Sequence, residues 1–210
     1  MLLRFSKELY VKKLVSYLED NHLLCKDQHG FRSGKSCLSQ LLTHIDIILN
    51  NGLKGLETDV IYLDFAKAFD KVDHEILIRR LSNLGINGPV LKWLTDFLSN
   101  RYQTVHVNGV KSYRSLVKSG VPQGTVLGPI LFLLFINNMT ECLKYSLAGM
   151  FADDSRILRE ISCVSDTFLL QEDLHSIVKW SEENNMELHE HKFQYNAQVQ
   201  EIVIGLPSFL

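Results

Sequence analysis

Apolar residues recur every three or four positions in five stretches of the 210-residue chain, a spacing typical of amphipathic helices. A sixth stretch, 130–136, is apolar throughout and predicts a buried helix. Ser36 precedes the second stretch as a candidate N-cap, and Gly52 stands where a C-terminal glycine is expected. The predicted helices cover residues 5–24, 37–51, 73–84, 88–98, 130–136 and 166–185.

Elsewhere the pattern indicates strands. Residues 60–65 form a short apolar run bounded by polar residues, which predicts a buried strand. Asn108-Gly109 is a strong hairpin signal between two runs with a period of two, 104–107 and 110–116. Asp153-Asp154-Ser155 separates two further apolar runs, 147–152 and 156–158, and predicts a second tight hairpin. The predicted fold class is α+β, a sheet with helices on one face.

Composition and charge narrow the class of protein. Apolar residues make up 46% of the chain and charged residues 22%, which predicts a packed core. The formal net charge of −2 argues mildly against nucleic-acid binding, since nucleic-acid-binding proteins usually carry a basic excess. The four cysteines form no C-x-x-C pair, so neither a zinc knuckle nor a redox motif is indicated.

Neither a secretory route nor a membrane span is indicated by the sequence. The N-terminus lacks a charged-then-apolar signal pattern, so we expect an intracellular protein, in the cytoplasm and/or the nucleus. The longest apolar run, 126–136, has eleven residues, whereas a membrane span needs about twenty. No membrane partner is therefore expected.

Three carboxylates are candidates for a metal site. Asp64 ends an apolar strand, where an ionised carboxylate costs several kcal/mol unless it is paired or bound to a cation. Asp153 and Asp154 are neighbours at a predicted hairpin tip and repel each other. If strand 60–65 lies beside this hairpin, the three carboxylates converge. Hard oxygen ligands without His or Cys favour magnesium over zinc.

Simpler interpretations of the acidic residues stay open at this point. Asp-Asp-Ser is also an ordinary turn sequence, because aspartate favours turns. Asp70 and Asp73 both lie near the start of a predicted helix, where acidic side chains interact favourably with the helix dipole.

A resemblance to a known family decides between these interpretations. The chain contains, in this order, the segments YLDFAKAFDKVDH, SGVPQGTVLGPILFLLFIN and FADD. They resemble motifs A, B and C of reverse transcriptases, in the form typical of non-LTR (LINE-like, jockey-like) retrotransposons. DQHGFRSGKSC is similar to the fingers segment of the same branch. The resemblance extends from about residue 5 to about residue 193.

The resemblance implies a fold and a division into domains. The fold is a right-hand polymerase palm with partial fingers, in which the sheet is antiparallel and backed by helices. Residues 1–58 are expected to be the partial fingers, and residues 59–210 the palm with motifs A, B, C and D. No thumb is expected, so that the chain is a truncated form of the family domain.

The resemblance also implies the metal ligands. Asp64, with the carbonyl of Phe65, matches the metal ligand of motif A. Asp153 and Asp154 match the carboxylate pair of motif C. The implied cofactor is Mg²⁺, as two ions, with Mn²⁺ able to substitute. The three carboxylates are thus the expected catalytic residues.

Nucleotide-binding residues follow from the same match. Phe69 corresponds to the aromatic residue beneath the sugar of the incoming nucleotide, where a ring would collide with a 2′-hydroxyl. Pro122, Gln123 and Gly124 match the motif B loop near the nascent base pair, and a glycine permits close backbone approach to a ligand. Lys192 matches the motif D lysine that protonates the leaving pyrophosphate.

The basic loop near the N-terminus has a different interpretation. GFRSGKS is similar to a phosphate loop, but it has three residues between its glycines instead of four and no preceding strand. We therefore reject that motif. Arg32 and Lys35 are instead candidates for contacts to nucleic-acid phosphates, and a solvated loop is an equally good interpretation.

The predicted function is RNA-directed DNA polymerisation, a nucleotidyltransferase reaction that adds deoxynucleotides to a primer 3′-hydroxyl. The expected partners are an RNA template, a DNA primer and deoxynucleoside triphosphates, and the oligomeric state stays open. Two alternatives remain. One is an inactive truncated retroelement fragment or RNA-binding remnant, and the other is a polymerase similar to group II intron maturases.

Overall fold

A computed structural model describes residues 2–189 and 194–196 of the chain, with side chains from residue 9 to residue 189. The α-helices are α1 (Leu2–Asp20), α2 (Cys37–Leu53), α3 (Ala68–Lys71), α4 (His74–Asn83), α5 (Gly88–Leu98), α6 (Leu127–Ile136) and α7 (Val164–Glu183). The strands are β1 (Glu57–Leu63), β2 (Tyr102–Gln103), β3 (His106–Val107), β4 (Val110–Lys111), β5 (Ser115–Leu116), β6 (Leu147–Phe151), β7 (Asp154–Ile161) and β8 (Gln194–Asn196). A short 3-10 helix, Met139–Cys142, lies between α6 and β6.

The main sheet has four strands in the order β6-β7-β1-β8, and every neighbouring pair is antiparallel. It belongs to a compact unit made of residues 27–65, 139–181 and the described residues from 188 onward. Helix α2 lies against β1 and β6 in this unit. Buried Ile61, Met150 and Ile157 contribute to its core.

The hairpin between β6 and β7 is tighter than its sequence predicted. β7 begins at Asp154, which pairs with Phe151, so the turn consists of Ala152 and Asp153 alone. The predicted loop over residues 153–155 is wrong because Ser155 pairs with Met150 on one side and with Leu63 on the other. Its backbone groups therefore belong to the sheet rather than to a turn.

Helix α2 begins as predicted and ends later. Ser36 is its N-cap, and the Ser36 hydroxyl accepts a hydrogen bond from the backbone N–H of Ser39 at 3.0 Å. The predicted end at Gly52 is wrong, since the helix continues through Leu53. The glycine that follows the helix with a positive φ is Gly55, at +72°.

The apolar face of α2 points away from the sheet. Leu38 and Leu49 are 63% and 62% exposed, whereas the buried positions of the helix are Gln40, His44 and Asn51. Burial is the first cause that lowers the pKa of His44, followed by the charge of Arg156. The helical period is thus confirmed, but polar rather than apolar side chains meet the sheet.

The first turn of helix α7 contains a carboxylate that accepts several hydrogen bonds. Asp166 accepts from the hydroxyl and the backbone N–H of Ser162, from the backbone N–H of Cys163 and from the Arg159 guanidinium at 2.6 Å. The Ser162 hydrogen bonds, followed by the one from Arg159, hold the pKa of Asp166 well below its usual range.

The second compact unit consists of residues 1–26, 66–138 and 182–187. Helix α6 is buried at every position except Pro129, as its continuous apolar sequence predicted. Helix α4 packs against α5 and α6. Asp73 is the N-cap of α4 and accepts hydrogen bonds from the backbone N–H groups of Glu75 and Ile76 at 2.9 and 3.1 Å.

The predicted Asn108-Gly109 hairpin is confirmed. Both turn residues have positive φ, 48° and 83°, as a two-residue hairpin turn requires. The strands are shorter than expected, because β3 and β4 have two residues each and are exposed. A second short pair, β2 with β5, continues the same ribbon. Among the described helices, none is long and apolar enough to cross a bilayer.

Candidate active site

The three candidate carboxylates lie at one end of the main sheet. β1 ends with Leu63 opposite Ser155, so continuing the antiparallel register by one residue places Asp64 opposite Asp154. Asp153 occupies the preceding turn position. Asp64 and Asp153 are half-buried, and Asp154 is exposed. The strand register therefore brings the three positions to one end of the sheet, and their role as metal ligands stays a prediction.

The carboxylate set fits magnesium in its chemistry. All three side chains offer hard oxygen donors, and neighbouring strands are about 4.8 Å apart. Across the described residues, no group of three or more His, Cys, Asp or Glu side chains is arranged to hold a metal ion. The predicted two-ion magnesium site therefore stays a prediction.

The backbone after β1 is hydrogen-bonded to residues 188–189, which follow α7. The backbone N–H of His189 donates to the carbonyl of Asp64 at 2.8 Å, and Phe65 forms an antiparallel bridge with Leu188. Phe65 is 3% exposed, and its ring lies 6.2 Å from that of Trp180. Asp64 thus extends from a paired backbone next to a buried residue, which limits the positions its carboxylate can take.

Arg32 and Lys35 lie in the loop between α1 and α2 of the same chain. The Arg32 guanidinium and the Lys35 ammonium both donate to the carbonyl of Gln28, at 3.4 and 3.1 Å. Burial, followed by the charge of Lys35, lowers the pKa of neighbouring His29. The two cations therefore help to fold the loop, and their predicted phosphate contacts stay a prediction.

Phe69 and the motif B loop belong to the other compact unit, where the structure brings them together. The Phe69 ring is stacked on Phe132 of α6, with ring centroids 4.2 Å apart and an interplanar angle of 18°. The backbone N–H of Val121 donates to the carbonyl of Phe69 at 2.9 Å. One face of the ring is thus occupied by a buried aromatic residue.

The loop over residues 119–124 is anchored on α3. The Ser119 hydroxyl donates to the carbonyl of Asp70 at 2.9 Å, and the Gln123 amide donates to the Asp70 carboxylate at 3.1 Å. Pro122 lies close to α6, since a Cβ on Gly128 would overlap its carbonyl oxygen. Gly124 has a φ of +74°, and apart from its chain neighbours no described residue lies within 4 Å of the position of a Cβ there.

Gly120 is the point at which this loop is held most closely. Its N–H donates to the carbonyl of Val72 at 2.8 Å. Its carbonyl accepts hydrogen bonds from Arg101 at 2.5 Å and from the His74 ring at 2.9 Å. Burial lowers the pKa of Arg101. The predicted nucleotide-binding residues Pro122 and Gln123 thus follow a segment held by several hydrogen bonds. The predicted nucleotide-binding residue Lys192 lies outside the described residues.

The sequence profile of the family described as reverse transcriptase (RNA-dependent DNA polymerase) matches residues 2–204. This chain belongs to the reverse transcriptase family. The match covers nearly the whole chain and includes Asp64 as well as the Asp153–Asp154 pair. The family assignment therefore does not depend on a short motif. It confirms the family predicted from the three motifs.

Curated relatives of this reverse transcriptase chain come from mobile elements. The RNA-directed DNA polymerase from mobile element jockey of Drosophila melanogaster is 29% identical over 201 residues, covering 90% of this chain and 21% of the relative. The jockey enzyme of Drosophila funebris is 26% identical over 191 residues, covering 87% of this chain and 21% of the relative. The chain spans about a fifth of the length of the curated relatives it matches.

Solved structures with the same fold include telomerases. The structure of telomerase from Candida albicans with a fragment of telomeric RNA has a TM-score of 0.66 at 14% identity, covering 90% of this chain and 33% of that one. Apo telomerase from Candida tropicalis has a TM-score of 0.65 at 12% identity, covering 92% and 37%. The α+β class and the right-hand polymerase fold are thereby confirmed.

The sequence did not identify two residues of these sites. Asp70 was interpreted only as a helix-start residue, but it also accepts the Gln123 amide. Gln28 was given no role of its own within the DQHGFRSGKSC segment, but it is 2% exposed and contacts the hairpin that carries Asp153. Gln28 lies in a polar and charged segment, so no periodic pattern of apolar residues indicated that its side chain is buried.

Proposed function

We propose that this chain is the catalytic core of an RNA-directed DNA polymerase that extends a primer 3′-hydroxyl with deoxynucleotides. The observation that supports the proposal most directly is the strand register, which sets Asp64 opposite Asp154 and beside Asp153. The family assignment supplies the reaction class. The substrates follow from that class, and they are an RNA template, a DNA primer and deoxynucleoside triphosphates.

The three carboxylates would hold two Mg²⁺ ions, or Mn²⁺ in their place, with the Phe65 carbonyl as a further oxygen ligand. Such ions, when bound, activate the attacking hydroxyl and neutralise charge on the departing pyrophosphate. The protein's own contribution is to fix the ligands. Asp64 is held by the paired backbone at Phe65, and Asp154 by its place in β7.

Phe69 selects the sugar of the incoming nucleotide. Its ring cannot move away from the substrate freely, because Phe132 is stacked on it. A 2′-hydroxyl at the exposed side of the ring meets a rigid surface, and the ribonucleotide is rejected. Phe69 follows Asp64 by only five residues in the sequence, so the sugar contact and the metal ligand are connected by a short segment.

The motif B loop positions the base pair. Gln123 is oriented by its hydrogen bond to Asp70, and its exposed amide can donate and accept. Pro122 and Gly124 flank it and allow close approach of the nascent pair. Lys192 supplies the proton for the leaving pyrophosphate, and Arg32 and Lys35 contact nucleic-acid phosphates.

The proposed division into domains follows from the resemblance of the motifs to those of reverse transcriptases. Residues 1–58 correspond to partial fingers, and residues 59–210 correspond to the palm with motifs A to D. The place of action is intracellular, in the cytoplasm and/or the nucleus, because mobile elements copy RNA into DNA inside the cell.

Primer extension on an RNA template with Mg²⁺ and deoxynucleotides tests the proposal. Asp153→Asn removes one ligand charge and is expected to abolish extension while the circular dichroism spectrum stays unchanged. Glu160→Gln is the matched control, because Glu160 is an exposed carboxylate on β7. Extension by Asp153→Asn at the wild-type rate refutes the assignment. No extension by any folded form favours an inactive remnant.

Sugar selection is tested separately. Phe69→Val opens space beside the sugar and is expected to raise ribonucleotide incorporation relative to deoxynucleotide incorporation by at least about tenfold. Phe168→Val is the control, since Phe168 is an exposed phenylalanine on α7. An unchanged ratio in Phe69→Val would remove Phe69 from the sugar contact without affecting the metal-site assignment.

A further inference from the structure

Ala152 has an uncommon backbone conformation directly before Asp153. Its φ is +55°, in the left-handed region that a residue with a Cβ rarely adopts. The two-residue turn between Phe151 and Asp154 imposes this conformation. A glycine or asparagine is the usual choice at such a position, so the surrounding structure must hold the alanine in place.

The side chain of Gln28 provides that support. Its Oε1 accepts hydrogen bonds from the backbone N–H of Ala152 at 2.8 Å and from that of Gly30 at 2.7 Å. Its Nε2 donates to the carbonyl of Ala152 at 3.2 Å. Gln28 is 2% exposed, so no water competes for these bonds. One amide group thus binds both polar backbone groups of the strained residue.

The backbone around Gln28 is attached to the same hairpin. The N–H of Met150 donates to the carbonyl of Asp27 at 2.9 Å, and the N–H of His29 donates to the carbonyl of Met150 at 2.8 Å. A Cβ on Gly30 would overlap the backbone nitrogen of Ala152. The segment from Asp27 to Gly30 therefore lies directly against the turn, and only the absence of a side chain at Gly30 permits this approach.

We propose that Gln28 is a positioning residue for the Asp153 carboxylate. By fixing both backbone groups of Ala152, it sets the orientation of the peptide that leads into Asp153 and, one residue later, Asp154. Its role in polymerisation rests on the function proposed above, whereas its effect on the hairpin does not. Gln28 acts through the backbone and needs no contact with substrate.

Amide hydrogen exchange measured by NMR tests the positioning without any assay of activity. In Gln28→Ala the N–H groups of Asp154 and Ser155, neither of which bonds to Gln28, are expected to exchange at least about tenfold faster, because the turn opens locally. Gln40→Ala is the matched control. Gln40 is also a buried glutamine of the same unit, and within the described residues its Nε2 has no hydrogen-bond partner.

Activity provides the second readout. Gln28→Ala is expected to raise the Mg²⁺ concentration for half-maximal extension about tenfold, whereas Gln40→Ala leaves it unchanged. Ala152→Gly removes the strain that Gln28 opposes. The double variant with Gln28→Ala and Ala152→Gly should therefore need less Mg²⁺ for half-maximal extension than Gln28→Ala alone, though more than the wild type. A role confined to general stability would change the melting temperature and leave the Mg²⁺ dependence alone.

The outcomes separate the two proposals. Unchanged exchange at Asp154 and Ser155 in Gln28→Ala overturns the positioning role, whatever the activity. Faster exchange in a chain whose wild type does not extend primers supports the hairpin contact and refutes the proposed function instead. If Gln28→Ala does not fold, Gln28→Glu replaces it. That variant keeps the acceptor for both N–H groups but loses the donor to Ala152, and the same acceleration is expected.

Discussion

Replacing Gly120 with alanine should destabilise the unit that contains the motif B loop by about 2–5 kcal/mol. Part of the cost is conformational, because φ at Gly120 is +87° and a left-handed residue with a Cβ costs about 1–2 kcal/mol. The rest is steric. The new Cβ would lie 2.8 Å from both the Cα and the carbonyl oxygen of Asp70. These are backbone atoms that cannot rotate away, and overpacking of this kind costs about 1–3 kcal/mol.

Gly109→Ala separates the two contributions. Gly109 has nearly the same φ, +83°. Among the described residues other than Gly109 and its chain neighbours, no heavy atom lies within 4 Å of the position that a Cβ would take there, so at most the conformational cost of about 1–2 kcal/mol applies. Urea unfolding of both variants and the wild type gives the free energies of unfolding. Equal destabilisation by the two substitutions would show that the loop does not pack on α3 as closely as described. Primer extension should fall in Gly120→Ala only.

Three further substitutions or reagents test other parts of the chain. The folded pKa of Asp166 is lowered, so its contribution to stability is complete above the unfolded value near 3.9 and is lost as the pH falls. Asp166→Asn should therefore lower the free energy of unfolding by about 1 kcal/mol at pH 7, because solvent screens a charge pair near the surface, and the difference should shrink below about pH 4 in urea titrations. Burial raises the pKa of Cys142 to about 11, so iodoacetamide at pH 8 should alkylate it at least about tenfold more slowly than exposed Cys163, as mass spectrometry would show. Gly30→Ala should displace the turn at Ala152 and reduce extension at least about tenfold, and wild-type extension would contradict the close approach.

The sequence was sufficient to predict most of the elements that carry the site. The apolar run before Asp64 predicted β1, and the Asn108-Gly109 pair predicted its hairpin, because both signals are local. Ser36, as a candidate N-cap, likewise predicted where α2 begins. Family resemblance then gave roles to Asp64 and Asp153, roles that strand spacing alone left open.

What the sequence could not predict depends on contacts between distant residues. The turn at Ala152 is held by Gln28, 124 residues earlier, and no local pattern shows such a pairing. The apolar stripe of α2 predicted a helix but not which side meets the sheet, because its inward positions are occupied by Gln40 and His44. Helix periodicity shows which residues share a face, and packing decides which face is buried.

The strand order also has a consequence for timing. β1 lies between β7 and β8, so a strand from the first third of the chain finds its partners only in the last third. The partner strand β7 lies roughly a hundred residues after β1. At a synthesis rate of about 5–20 residues per second, β1 is therefore made on the order of 5–20 s before β7. During that interval its backbone edge is open to other chains. A nascent chain that ends before residue 154 therefore has β1 without its partner β7, and the open edge of β1 favours aggregation.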